Sequence, residues 1–205
     1  MNDARSEILA RIRKANAVAG AKLPEVHRTY RRTGSLRRGG AEVLTLLRDR
    51  LVDYHASVLD GPREAVPQLV ASALADVEGP VLRAPGVPDD FYAAGVPDDG
   101  QSAPDVLDLF AAVITTCAAA CAETGTIALD AGTGQGRRAI SLIPDLHVCI
   151  VFADQVVETV PELLSALDPS RPLTFISGPS ATSDIELRRV EGVHGPRRLV
   201  VVLAR

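Results

Sequence analysis

The residues best equipped for chemistry lie between Ala122 and Val151, in the stretch AETGTIALDAGTGQGRRAISLIPDLHVCIV. Glu123, Thr124, Gly125 and Thr126 open it with a carboxylate, two hydroxyls and a permissive turn. A glutamate at a strand edge can act as a general base or a carboxylate nucleophile. It can equally accept bonds from loop amides or pair with Arg137 or Arg138. Gly132, Gly134 and Gly136 follow, interleaved with Thr133 and Gln135 and ending in Arg137 and Arg138. Glycines let backbone N–H groups converge on an anion, and two guanidinium groups beside them can clamp a carboxylate or phosphate. The same glycines can also form only a tight turn. The spacing GxGxG is not the dinucleotide fingerprint, because its third glycine is misplaced and no strong helical period follows.

A second polar group runs from Ser177 to Asp184 and includes Gly178 and Ser180. It follows a strand, at the end where open α/β sheets bind ligands. Its hydroxyls and Asp184 could touch a substrate, or Asp184 could cap a short helix. His147 sits inside an apolar run and reads as a structural histidine. His194, in Gly192-Val193-His194-Gly195-Pro196, reads as a loop residue. Both can exchange protons near neutral pH. No HxH or HxxxH pair is present, so a metal site is not expected. Cys117, Cys121 and Cys149 have no CxxC spacing and read as buried small residues, with no cofactor carried by this chain. The expectation is one pocket mouth, where Arg137, Arg138 and bare amides meet Glu123 and the Ser180 turn around a small anion.

These groups need a scaffold, and the hydrophobic pattern supplies one. Strands are expected at 56–59, 81–84, 111–116, 126–129, 146–152, 173–176 and 199–203. Helices are expected at 3–18, along the stripe Val43, Leu44, Leu47 and Leu51, over 66–77, and after Pro161 with Leu163, Leu164 and Leu167 inward. Strand, helix, strand with short joins is the unit of a parallel sheet. The fold class is therefore α/β, a largely parallel open sheet flanked by helices. Residues 85–104 read as a loop and a candidate lid around Phe91 and Tyr92, and 106–109 as a short strand or turn.

The 205 residues fit one domain with an appended arm. Apolar residues are 46% and aromatics 3%, so the core must be built from Ala, Val, Leu and Ile. A net charge of −4 gives no general reason to expect nucleic acid. Residues 1–40 hold ten Lys and Arg against three Asp and Glu, net +7. Residues 41–205 hold twelve against twenty-three, net −11. This divides the chain into an N-terminal helix with an extended basic arm, 1–40, and an α/β domain, 41–205. The arm reads as a solvated connector, as a segment packed on a neighbouring subunit of a homo-oligomer, or as a phosphate contact. No apolar run approaches the ~18 residues of a membrane span, and the charged N-terminus lacks a signal-peptide core, which points to the cytoplasm.

The motifs Ala122-Glu123-Thr124-Gly125-Thr126-Ile127, Gly134-Gln135-Gly136-Arg137-Arg138 with Pro144-Asp145-Leu146-His147, Ser177-Gly178-Pro179-Ser180 with Asp184-Ile185-Glu186, and the His194 loop occur in a familiar order. Together they resemble the lactate-utilisation protein C family of LUD-domain proteins. The N-terminal helix and Tyr30-Arg31-Arg32 fit as well. Thr116 to Ala120 departs from the bulkier stretch expected there, which affects local packing. The resemblance implies a fold similar to the sugar-phosphate isomerase and CoA-transferase superfamily. It implies a role in a three-component system that oxidises L-lactate to pyruvate, with iron–sulfur partner subunits. It leaves this subunit's own task open. The first reading is a non-redox subunit that binds a small anionic metabolite and docks on iron–sulfur partners. The alternatives are a stand-alone transferase or isomerase using Glu123, and a ligand-sensing regulatory module.

Overall fold

A computed structural model describes residues 4–19, 27–182, 190–191 and 195–205. The chain forms two compact units, Met1–Tyr30 and Arg31–Arg205. The first holds α1 (Ala4–Ala19), which exposes Ile8, Leu9 and Ile12 and pairs Arg11 with Glu7 one turn away. The sequence reading carried the arm through residue 40. The structure seats residues 31–40 on the α/β body, where Leu36 N–H donates to the buried Glu158 and Gly39 N–H donates to Val156 O.

The second unit opens with α2 (Ala41–Asp53), whose Val43, Leu44, Leu47 and Leu51 all face inward, as their spacing requires. There follow β1 (Ser57–Gly61), α3 (Val66–Ala73), β2 (Val81–Arg83), β3 (Val96–Pro97), α4 (Pro104–Leu107) and β4 (Ala112–Thr116). Next come β5 (Ala119–Cys121), β6 (Thr126–Leu129), β7 (Leu146–Phe152), β8 (Val156–Val157), α5 (Val160–Ser165) and β9 (Thr174–Ile176). The paired β10 (Ala181–Thr182) and β11 (Val190–Glu191) precede the last strand, β12 (Arg198–Ala204). Pro67 and Pro161 lie in the first turns of α3 and α5, where a missing N–H costs nothing. Thr159 and Glu162 cap α5 reciprocally.

Six strands form one fully parallel sheet in the order β1-β12-β7-β4-β2-β3. β7 lies inside it, buried along almost its whole length, which is why its sequence is a nearly unbroken apolar run. One face, with Val148, Ile150 and Val202, packs on Val66 and Val70 of α3. On the other, Cys149, Val151 and Val201 meet Leu47 and Leu51 of α2 and Ile127 of a second sheet. That second sheet, β8-β5-β6-β9, is mixed. Ala120 and Ala122 of its central segment point to the main sheet, while Ala119 and Cys121 pack on Leu163 and Leu167 near α5. Alternation along an extended backbone produces this split.

Three local expectations change. The segment read as a strand or turn at 106–109 begins as α4, started by Pro104 and pinned by fully buried Leu107. The second helix of the body ends at Ala73, and the chain turns down to Val77. In the 85–104 loop Phe91 and Tyr92 pack against the α3-side core, so these aromatics fasten the loop down. Among the described residues no helix is long and apolar enough to cross a membrane.

Candidate functional site

The glycine-rich loop leaves β6 and runs across the C-terminal ends of β2 and β4. Its own chain meets most of its polar groups. Asp130 N–H donates to Oε1 of buried Gln135, and Gly132 N–H donates to Asp130 Oδ1 at 3.0 Å. Asp130 Oδ2 accepts from Arg171 at 2.7 Å. Gly134 donates to Pro85 O at 2.8 Å and accepts from Thr116 N–H at 2.6 Å, stitching the two strand ends together. It does so at φ +79, with Thr116 Oγ1 only 2.4 Å from where a Cβ would stand, so glycine is required. Gly136, at φ +67, presses on Ile140 in the same way.

Arg137 then turns onto Asp98. Its Nε and Nη2 donate to the two carboxylate oxygens at 3.1 and 3.0 Å, a bidentate pair with the Asp98 side chain almost fully buried. Those hydrogen bonds raise the Arg137 pKa further, so it stays charged throughout. The guanidinium borders an open depression of about 520 Å³ with Pro85, Gly86, Gly132 and Thr133, but its carboxylate partner is already in place.

Glu123 also has a partner. Arg31 binds its carboxylate, and Glu123 N–H donates to Glu158 O at 3.0 Å. Glu123, then Glu158 and Glu162, hold the Arg31 proton more tightly than usual. The adjoining threonines belong to a hydroxyl ladder: Thr124 Oγ1 lies 2.7 Å from Thr126 Oγ1, which lies 2.8 Å from Ser177 Oγ. Gly125 and Gly178, both at positive φ, let this edge approach Arg50 and Tyr54.

The ladder leads to a second hollow, of about 160 Å³, between β9 with its following loop and the start of β7. Ser177, Gly178 and Ser180 line it together with Ser141, Phe175 and Leu199. So does His147, whose Nε2 is 2.7 Å from the buried Thr115 Oγ1. Burial drives the His147 pKa down to about 4, so the ring is neutral at pH 7. Arg138 borders a narrow cleft beside this hollow, across the shared walls Ser141 and Thr174. It is exposed and has no ion-pair partner among the described residues.

The expected single mouth is therefore divided. Ser177, Gly178 and Ser180 line the smaller hollow, with Thr124 and Thr126 behind Ser177, while Arg138 borders the separate cleft beyond Ser141 and Thr174. Arg137 turns away to Asp98, Gln135, Gly134 and Gly136 close the loop, and Glu123 is held by Arg31. Asp184 and His194 lie outside the described residues. His147, read as a structural histidine that could also exchange protons, lines the hollow. Its signal was a lone ring donor and acceptor at the second position of an apolar strand. Cys117, Cys121 and Cys149 are free thiols buried in the core.

The chain has close counterparts. Lactate utilization protein C of Deinococcus radiodurans is 44% identical over 208 residues, covering 98% of this chain and 95% of that protein. Lactate utilization protein C of Bacillus pumilus is 38% identical over 90 residues, 40% of this chain and 37% of that one. The crystal structure of a DUF162 family protein from Deinococcus radiodurans superposes with a TM-score of 0.69 at 37% identity, covering 83% of this chain and 99% of that chain. A family model for the LUD domain matches residues 1–204, and the chain belongs to the LUD domain family.

Proposed function

We propose that this chain is a non-redox subunit of an L-lactate utilisation system, working with iron–sulfur partner proteins while L-lactate is oxidised to pyruvate. The observation that carries the role in lactate utilisation is the 44% identity, over 98% of the chain, to a lactate utilization protein C. The division of labour with cluster-bearing partners rests on the family resemblance, and it suits a chain whose three cysteines are all committed to the core. Its own contribution is to hold a small anionic metabolite beside the glycine-rich loop. Arg138 supports this reading, since it leaves that loop charged, exposed and without an ion-pair partner among the described residues.

The test is genetic and physical together. Deleting the gene should abolish growth on L-lactate and leave growth on pyruvate intact, and the tagged chain should retain iron–sulfur proteins from lactate-grown cells. Normal growth of the deletion strain on L-lactate, with no such protein retained, overturns the proposal.

A further inference from the structure

The C-terminal ends of β1, β12 and β7 lie side by side in the main sheet, at the end where open parallel sheets take ligands. A cavity of about 530 Å³ opens there against α2, within the size range of small-molecule sites. The hollow beside His147 is at the opposite end of β7 and β12. Leu44 and Thr45 of α2, with Arg48 one turn further on, make one wall of the cavity. Asp60 at the end of β1 and Leu203 and Arg205 at the end of β12 make the other. The charge on these walls is unbalanced. Asp60 is the one carboxylate side chain among the lining residues, and two guanidinium groups lean on it. Arg205 Nη2 donates to Oδ1 at 2.8 Å, whereas Arg48 Nη1 lies 3.7 Å from Oδ2, too far for a hydrogen bond. Arg48 thus brings full charge to the cavity with no hydrogen-bond acceptor among the described residues. Two more arginines adjoin. Arg38 Nε donates to Asp154 O at 2.6 Å, beside the lining residue Ala153, and Arg63 stacks on the Phe152 ring while its N–H donates to Arg205 O at 2.9 Å. Neither has a carboxylate partner among the described residues.

We propose that this cavity binds an organic phosphate, with its phosphoryl group bridging Arg48 and Arg205 and its carbon body against Leu44, Leu203 and the methyl group of Thr45. The assignment goes beyond the lactate reading and does not depend on it. A phosphoryl group offers three acceptor oxygens and close to two negative charges, so it can engage Arg48 fully while sharing Arg205 with Asp60. The planar guanidinium fork matches phosphoryl oxygens in pairs. A lone carboxylate brings one charge and two oxygens, which Asp60 already supplies. Arg38 and Arg63 add long-range attraction that the second phosphoryl charge can use. The floor between the two guanidinium groups is carbon, which gives a phosphate ester a contact that bare phosphate cannot make.

Calorimetry on the full chain tests this with four probes: phenyl phosphate, adenosine monophosphate, inorganic phosphate and adenosine. The two esters are expected to bind about fivefold tighter than inorganic phosphate, and adenosine not to bind. Binding by one ester and not the other supports the site and narrows the carbon body it takes. Arg48→Gln should weaken ester binding about tenfold. Arg48 is exposed and makes no hydrogen bond, so this variant keeps the fold. Thr45→Trp places a large side chain in the cavity from an exposed position on α2 and should abolish ester binding. The proposal is overturned if neither ester binds, if adenosine binds as tightly as its monophosphate, or if ester binding is unchanged in either variant. Inorganic phosphate binding as tightly as both esters would mean an adventitious ion only, and overturns it too.

Discussion

At the C-terminal ends of β2 and β4, the loop from Gly132 to Arg137 closes on itself: Gln135 on Asp130, Gly134 on Pro85 and Thr116, Arg137 on Asp98. Just past that loop, by contrast, Arg138 stands without an ion-pair partner among the described residues, and His147 in β7 has one ring nitrogen bonded and one without a partner among them. Two adjacent arginines thus have opposite fates. The difference arises from distant residues. Asp98 reaches Arg137 from 39 positions away, on the strand edge that the parallel topology places beneath the loop. Polar density along the sequence therefore marks where a fold needs fastening as readily as where it binds, and the two are separated by asking which groups the fold has left without partners.

The contrast breaks most violently at Gly134. Valine there must adopt a left-handed backbone and push into Thr116, and the combined strain should cost about 4 kcal/mol. Urea unfolding of Gly134→Val measures it. If the loop were an open anion cradle, the same change would leave stability nearly intact and remove ligand binding.

On the other side, His147 should make the hollow sensitive to acid. The unfolded ring takes a proton near pH 6.5, whereas the buried ring resists until about pH 4. As pH falls through that window the unfolded chain gains a proton that the folded chain refuses, so stability declines. The loss from this one group between pH 7 and pH 4 is about 3 kcal/mol. The fall in stability with pH should be shallower by that amount in His147→Gln. Parallel pH profiles for the two proteins would mean that the ring is solvated, and the hollow more open than its walls indicate.

The same contrast explains how far a sequence could be read here. Helix α2 and strand β7 were legible because burial imposes a spacing that one chain segment carries by itself. Strand β5 was not, since Ala119-Ala120-Cys121 has no β-branched or aromatic residue and owes its extension to neighbours on both sides. The candidate site fared likewise. Ser177 and Ser180 were singled out from loop composition, and both line the hollow. The capture of Arg137 by Asp98, and of Glu123 by Arg31 from 92 positions away, depends on topology alone. His147 was read from the sequence as a structural histidine, and its place on the wall of the hollow beside β9 depends on topology.

Asp98 gives a sharper and smaller test. Asp98→Asn keeps the shape and removes the charge, leaving a partly buried guanidinium with a weaker acceptor. A cost of about 2 kcal/mol is expected in unfolding experiments. Growth on L-lactate should not change, because Arg137 and the hollow are lined separately. Lost growth in a variant that still folds would join the two regions into one site.

Glu123 is expected to give the smallest effect and decides the most about mechanism. Its ion pair with Arg31 is exposed on the arginine side, and such pairs contribute little to stability. Glu123→Gln keeps the backbone bond to Glu158 and should leave the unfolding midpoint unresolved from the parent. A nucleophile or general base must meet its substrate with a free carboxylate, whereas here Arg31 occupies the oxygen. Growth of the Glu123→Gln strain on L-lactate at the parental rate is therefore the expected result. Lost growth with an unchanged midpoint, restored by Glu123→Asp, would mean that Arg31 withdraws during turnover and that the glutamate itself acts on the substrate.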